Sequence, residues 1–265
     1  MFRQPAVADR FYPGQPDRLR QSLDKLIPAA DRAEVKAVIS PHAGYIYSGG
    51  VAGETFARIT VPETVILLGP DHHGQGAPLA VGTEDWEMPW GQVPLANDLA
   101  QALLSSSALF TADDNVHRSE HSLEVQVPFL QYLQKNLHIL PIAVSRLSLS
   151  QCRAAAAELV RAVLHDDRPV LLVASTDMSH YLSRQRASEQ DHQALKHILE
   201  LDADGLYNTV FSRRISMCGV IPVAITLLAA AELGAEQAEL VRYTDSGEVS
   251  GDTEQVVGYA GVVIR

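Results

Sequence analysis

His42, His73 and Cys218 offer two imidazoles and one thiolate, a donor set that suits a borderline divalent ion and leaves positions open for water or substrate. They are scattered over most of the chain, so no local spacing of the CxxC kind ties them into a motif. Context gathers them instead. His42 stands in Ser40-Pro41-His42-Ala43-Gly44-Tyr45, directly after the apolar run Ala37-Val38-Ile39. His72 and His73 stand in Gly69-Pro70-Asp71-His72-His73-Gly74, after Val65-Ile66-Leu67-Leu68. Consecutive loop residues usually point apart, so one imidazole of that pair is expected as a ligand. His73 is the choice, and His72 is read as bonding a neighbouring carbonyl, the plain alternative for His42 as well. Cys218 precedes a strongly apolar helical segment, residues 220–233, whose N-terminus would stabilise a thiolate. A thiolate either binds metal or attacks as a nucleophile; the plain alternative is a small buried hydrophobe.

A third apolar run, Val170-Leu171-Leu172-Val173-Ala174, ends in Ser175-Thr176-Asp177-Met178-Ser179-His180-Tyr181. Asp177 and His180 are of the types that acid/base chemistry holds beside a reacting atom, with Asp177 orienting the imidazole. The alternative for Asp177 is a turn cap through Ser179. In a metal-free thiol enzyme the same residues would serve Cys218 as nucleophile, His180 as its base and Asp177 as orienting carboxylate. Glu120, His121 and Glu124 form another polar cluster. They sit on an expected helix over residues 120–130, whose carboxylates, one turn apart, would face solvent unless that helix borders the site.

These side chains need a scaffold that brings dispersed turns to one rim. Short runs of branched aliphatics bounded by Pro and Gly suit strands covered on both faces, and in open α/β sheets ligands bind beyond the carboxyl ends of such strands. Helices are expected from Pro16, where Leu19, Leu23 and Leu26 mark a stripe, and over residues 51–59, 97–104, 150–164, 183–199, 202–211 and 220–233. Further strands are expected at 138–144, 240–244 and 256–264, and a hairpin excursion carrying Trp86 and Trp90 at 77–95. Those tryptophans are either ordinary packing or contact area for a peptide. A polar surface loop is expected to link the last two strands, over 245–252. The architecture is α/β in three layers, with a mixed, mostly parallel sheet, in one domain over residues 1–265.

The length of 265 residues suits one large α/β domain. A net charge of -11 without a Lys/Arg stripe excludes a nucleic-acid footprint. Two cysteines give no disulfide framework, and no apolar stretch reaches the length of a membrane span, so a cytoplasmic protein is expected.

Phe11-Tyr12-Pro13, Pro41-His42-Ala43-Gly44-Tyr45, Leu68-Gly69-Pro70-Asp71-His72-His73, Glu120-His121-Ser122-Leu123-Glu124, Asp177-Met178-Ser179-His180 and Met217-Cys218-Gly219 together resemble the Memo family, whose bacterial and archaeal members are called AmmeMemoRadiSam system protein B. The resemblance implies the fold of class III extradiol dioxygenases of the LigB type, which hold non-haem iron(II) through two histidines and a glutamate. It carries the ligand histidines to His42 and His73, replaces the glutamate with Cys218 and lines the pocket with Asp177 and His180. The implied cofactor is iron(II) or copper, and the implied activity a metal-dependent oxidoreductase. Eukaryotic members are described as adaptors that bind phosphotyrosine peptides, so a small-molecule or peptide ligand and a non-catalytic binding role stay open. The prokaryotic name implies association with radical-SAM and AMMECR-type proteins; a homo-oligomer is left open.

Overall fold

The apolar runs that end in polar turns are neighbouring strands in the computed structural model, which describes residues 2–74, 76–166 and 168–265. In chain order the elements are β1 (Phe2–Arg3), α1 (Pro16–Leu26), β2 (Ala37–Ser40), α2 (Tyr45–Ala57), β3 (Thr64–Pro70), β4 (Leu79–Val81), β5 (Asp85–Met88), β6 (Gly91–Val93), α3 (Asn97–Ser106), β7 (Thr111–Ala112), α4 (Asp114–His117) and α5 (Val127–Leu133). They continue with β8 (His138–Val144), α6 (Leu149–His165), β9 (Val170–Ser175), β10 (His180–Leu182), α7 (Arg184–Leu199), α8 (Ala203–Arg213), α9 (Val220–Glu232), β11 (Ala238–Asp245), α10 (Gly247–Ser250) and β12 (Val256–Ile264).

The main sheet runs β10-β12-β2-β9-β3-β8-β4-β7, with β11 on β12. Its centre, β2, β9, β3 and β8, is parallel, whereas β12 joins β2 and β4 joins β8 antiparallel. The sheet is therefore mixed with a parallel middle, as expected. Successive residues of the central strands serve two cores, because side chains alternate across a sheet. Ile39, Ile66, Leu68, Leu172 and Ala174 pack with Leu159 of α6 and Val223 of α9, while Val38, Val65, Leu67, Leu171 and Val173 pack with Leu23 of α1, Phe56 of α2 and Phe129 of α5. Burial on both faces is why these strands read as unbroken aliphatic runs.

Three local expectations change. α2 begins at Tyr45 rather than at residue 51, so Gly49, Gly50 and Gly53 lie inside it. A Cβ at Gly53 would stand 2.0 Å from the Leu26 carbonyl oxygen, so glycine is what lets α1 end against the backbone of α2. The expected helix over 120–130 is instead a turn, a single 3-10 turn at Glu124–Gln126, and then α5. Pro128 falls in the first turn of α5, where a missing N–H costs nothing. The link at 245–252 carries the one-turn α10. The tryptophan excursion is a hairpin, as expected: β5 pairs with β6 and, on its other edge, with β1, so it ties down the N-terminus. Trp86 is buried beneath Arg3, 4.2 Å from the ring centroid, and Trp90 stacks near Arg20 and Tyr132, so packing accounts for both. Among the described residues no helix is long and apolar enough to cross a membrane.

The N-terminal segment is held by a buried charge pair. Arg3, 3% exposed, donates Nε–H to the His117 carbonyl at 2.7 Å and Nη2–H to that of Glu120 at 2.8 Å, and its Nη1 lies 2.5 Å from Glu124 Oε2. Glu124 also accepts the Ala6 and Val7 N–H groups and the Tyr12 hydroxyl. Beside this pair, His117 is 1% exposed and stands 3.1 Å from the Ala80 carbonyl through Nε2, which must carry the proton. Burial lowers its pKa to about 4, the Ala80 bond partly opposing. The folded chain then binds fewer protons than the unfolded chain between about pH 4 and its ordinary value near 6.5, so this residue's contribution to stability falls as pH drops through that window. The loss is on the order of 3 kcal/mol at its largest. His117→Gln is expected to flatten the stability profile between pH 6.5 and 4 in urea unfolding series; an unchanged slope would assign the acid limb to other groups.

Candidate metal centre

Three of the four central strands each deliver one part of the site two residues past their carboxyl ends. β2 leads to His42, β3 to His72 and β9 to Asp177, and Cys218 arrives from the turn before α9. The approach is close. Gly219 donates its N–H to Thr176 Oγ1 at 2.9 Å, and a Cβ there would fall 2.5 Å from the Ser175 carbonyl oxygen, so only glycine lets Cys218 reach the strand ends.

Hydrogen bonding fixes which nitrogen His42 presents. Ser175 Oγ has one proton and gives it to the Ser122 carbonyl at 2.6 Å. It accepts from Gln126 Nε2 at 2.9 Å, so towards His42 Nδ1, also at 2.9 Å, it acts as acceptor. The His42 proton is therefore on Nδ1, and the Nε2 lone pair faces Cys218 Sγ at 3.2 Å. His42 is 2% exposed, and burial with the neighbouring His72 and His121 keeps its pKa well below the usual value, so the ring is neutral.

His72 completes the group: one donor atom each from His42, His72 and Cys218 lies within 4.8 Å of the others. For bonds of roughly 2.1 Å to nitrogen and 2.3 Å to sulfur, two donors at a right angle stand roughly 3.1 Å apart, close to the observed Nε2 to Sγ separation. Rings of His42 and His72 meet edge to face, 88° apart, so their donors are not stacked upon each other. Burial, with Asp177 adding, pushes the Cys218 thiol up to about 12, while the Asp177 N–H points at Sγ from 3.2 Å. The thiol keeps its proton until a cation displaces it. Against burial, the Glu120 bond raises the His72 pKa above its usual value, so an ion competes with a proton there too, and two imidazoles with a sulfur suit a soft or borderline ion.

The expected ligand His73 does not join this group; His72 takes its place. Asp71 gathers the N–H groups of His73 and Gly74 in a tight turn, which sends the exposed His73 ring towards the Ser119 carbonyl at 3.4 Å. Glu120, meanwhile, holds His72 through both its backbone N–H and Nδ1, at 2.8 and 2.9 Å. The carbonyl partner expected for His72 is thus a carboxylate.

Asp177 and His180 both come to the site, but not as a hydrogen-bonded pair among the described residues. Asp177 is 5% exposed and accepts the His42 N–H at 2.7 Å, locking the loop after β2 to the loop after β9. Burial raises its pKa to about 6. The group that orients His180 is Ser216: the His180 N–H donates to Ser216 Oγ at 2.8 Å, and Nδ1 stands 2.9 Å from the Ser216 carbonyl. A carbonyl only accepts, so Nδ1 carries a proton and Nε2 is the nitrogen left for exchange. Ser179, the expected cap partner of Asp177, instead donates its N–H to Asp191.

His121 was left without a role by its sequence context, yet its ring lies 4.6 Å from His72 and 5.4 Å from His42, with Phe11 at 4.9 Å on its other side. Burial lowers its pKa to about 4. Glu120, Ser175, Gln126 and Ser216 also have functions that the sequence did not assign. Only Glu120 carried a signal, in the run Glu120-His121-Ser122-Leu123-Glu124, and the expected helix pointed it outward.

The chain matches the Memo-like protein family over residues 3–263. It is 38% identical over 267 residues to a MEMO1 family protein of Methanosarcina barkeri and 39% identical over 265 residues to one of Archaeoglobus fulgidus, with all of this chain and all of each relative covered. Among solved structures, an uncharacterized protein from Escherichia coli K12 covers 85% of this chain and 99% of its own, with a TM-score of 0.51 and 13% identity, a likeness of fold alone.

Proposed function

The chain belongs to the Memo family, and from that premise we propose that it is a metal-dependent oxidoreductase related to the extradiol dioxygenases, whose iron or copper ion is held by His42, His72 and Cys218. The observation that carries this reading is one donor atom each from His42, His72 and Cys218 within 4.8 Å of one another, with His42 Nε2 at 3.2 Å from Sγ. When bound, such an ion supplies redox chemistry and a coordination position for a small molecule. The thiolate makes it a softer centre than two histidines and a carboxylate, and favours copper or redox-active iron.

The residues around the centre have separable tasks. Asp177 holds the His42 loop in place through its backbone N–H. His180, fixed by Ser216, keeps Nε2 as a proton acceptor for a substrate hydroxyl at the rim and returns that proton later. A metal-free thiol enzyme is less well supported, because a nucleophilic cysteine needs a lowered pKa and burial drives this one up to about 12.

Elemental analysis of protein purified without chelator tests the assignment. One equivalent of transition metal is expected, lost in His42→Ala and His72→Ala and retained in His73→Ala. Loss in His73→Ala with retention in His72→Ala would overturn the ligand set.

A further inference from the structure

We propose that Glu120 is the positioning residue for the ligand His72, fixing by its hydrogen bonds which nitrogen that ring offers to the ion. This rests on the metal reading above and adds the group that makes one of its ligands competent.

Glu120 is 1% exposed, and its carboxylate is held before any side chain reaches it. Oε1 accepts the N–H groups of His121 and Ser122 at 2.9 and 2.8 Å, and Oε2 accepts that of His72 at 2.8 Å. The fourth bond, Oε1 to His72 Nδ1 at 2.9 Å, is the informative one. Oε1 already accepts two backbone N–H groups and Oε2 a third, so the carboxyl presents an acceptor, not a proton, to Nδ1. The proton of a neutral His72 must then be on Nδ1, which leaves Nε2 for the ion. A buried carboxylate on the far nitrogen of a ligand imidazole both orients the ring and raises its basicity.

The frame around Glu120 serves the same end. Arg3 donates Nη2–H to the Glu120 carbonyl and is itself pinned by Glu124 and Trp86, so the N-terminal segment braces the turn. His121 stacks on His72 with planes 21° apart, and Phe11 in turn packs against His121, so one face of the His72 ring is backed.

The same residues offer a rival role, because donor atoms of His72, Glu120 and His121 also lie within 4.8 Å of one another and resemble a second cation site. Geometry decides against it. Imidazole lone pairs lie in the ring plane, and two rings stacked at 21° direct theirs side by side rather than to one point. Glu120 Oε1 is already committed to three donors.

The test uses the full chain with Zn²⁺ as a redox-silent probe. Glu120→Gln keeps the size and removes the charge; it is expected to bind Zn²⁺ roughly 10–100-fold more weakly, with His73→Ala binding as the parent does. Because a buried Gln must place its NH₂ among N–H donors, which strains the turn, the metal-free parent is also examined by long-range ¹H–¹⁵N NMR. His72 is expected there as the Nδ1–H tautomer. A folded Glu120→Gln chain with undiminished affinity, a second tight Zn²⁺ lost on His121→Ala, or an Nε2–H tautomer at His72 would each overturn the proposal. A parent that binds no Zn²⁺ but shows the Nδ1–H tautomer overturns the metal reading and, with it, the positioning of a ligand, while the hydrogen bond stands.

Discussion

Arg3→Met lowers the stability of the chain by about 3–5 kcal/mol, the expected cost of leaving a buried ion-pair partner without its counter-charge. Glu124 is fully buried, and its remaining bonds, from the Ala6 and Val7 N–H groups and the Tyr12 hydroxyl, come from neutral donors. Those donors do not replace a guanidinium at 2.5 Å. The Arg3 bonds to the His117 and Glu120 carbonyls go as well, and with them the brace behind the metal-site turn. The double replacement Arg3→Met with Glu124→Gln should recover part of the loss, because neither charge is then buried alone. Urea unfolding of the parent, both single variants and the double variant measures the coupling directly. A loss under about 1 kcal/mol for Arg3→Met would mean that the pair is solvated and that the N-terminus is not a structural strap.

The part of the site that was legible in the sequence is the part that adjacent residues encode. Val65-Ile66-Leu67-Leu68 and its two counterparts are buried on both faces, so composition alone marks them as central strands, and the polar residue after each strand end falls on the rim by topology. His42 and Asp177 follow from that, and Cys218 from its place before the apolar run of α9. The choice between His72 and His73 does not, because a partner 48 residues away makes it: Glu120 draws in one ring while Asp71 turns the other out. The orientation of His180 depends likewise on Ser216, and the tautomer of His42 on Ser175, Ser122 and Gln126. The run at 120–130 misled for a local reason. Glu120 and Glu124 have helical spacing, but Glu120 bonds its own turn and Glu124 bonds the N-terminus, and those long-range donors outweigh the propensity of the segment.

Cys218→Ser should remove the metal while leaving the fold intact, and the size of that separation is the largest effect expected of any single atom here. Serine keeps the shape of the side chain, so the Asp177 N–H still finds an acceptor and stability should stay within about 1 kcal/mol of the parent. What disappears is the donor that becomes an anion. A hydroxyl is a hard, neutral ligand in place of a thiolate, and the two imidazoles alone hold copper(I) poorly. The affinity loss should exceed the roughly 10–100-fold that outer-shell substitutions cause, and be greater for copper(I) than for iron(II). Glutamate, the third ligand that the proposed kinship with extradiol dioxygenases would suggest, is the wrong replacement for this test. It adds length where His42 Nε2 and the Asp177 N–H already stand 3.2 Å from the sulfur, and overpacking of roughly 1–3 kcal/mol would confuse metal loss with unfolding. Competition with a copper(I) chelator, run on folded Cys218→Ser and parent side by side, reads the difference. Equal affinity would show that sulfur is no ligand, and the third donor for His42 and His72 would then have to be sought at Asp177, whose pKa of about 6 leaves it ionised at neutral pH.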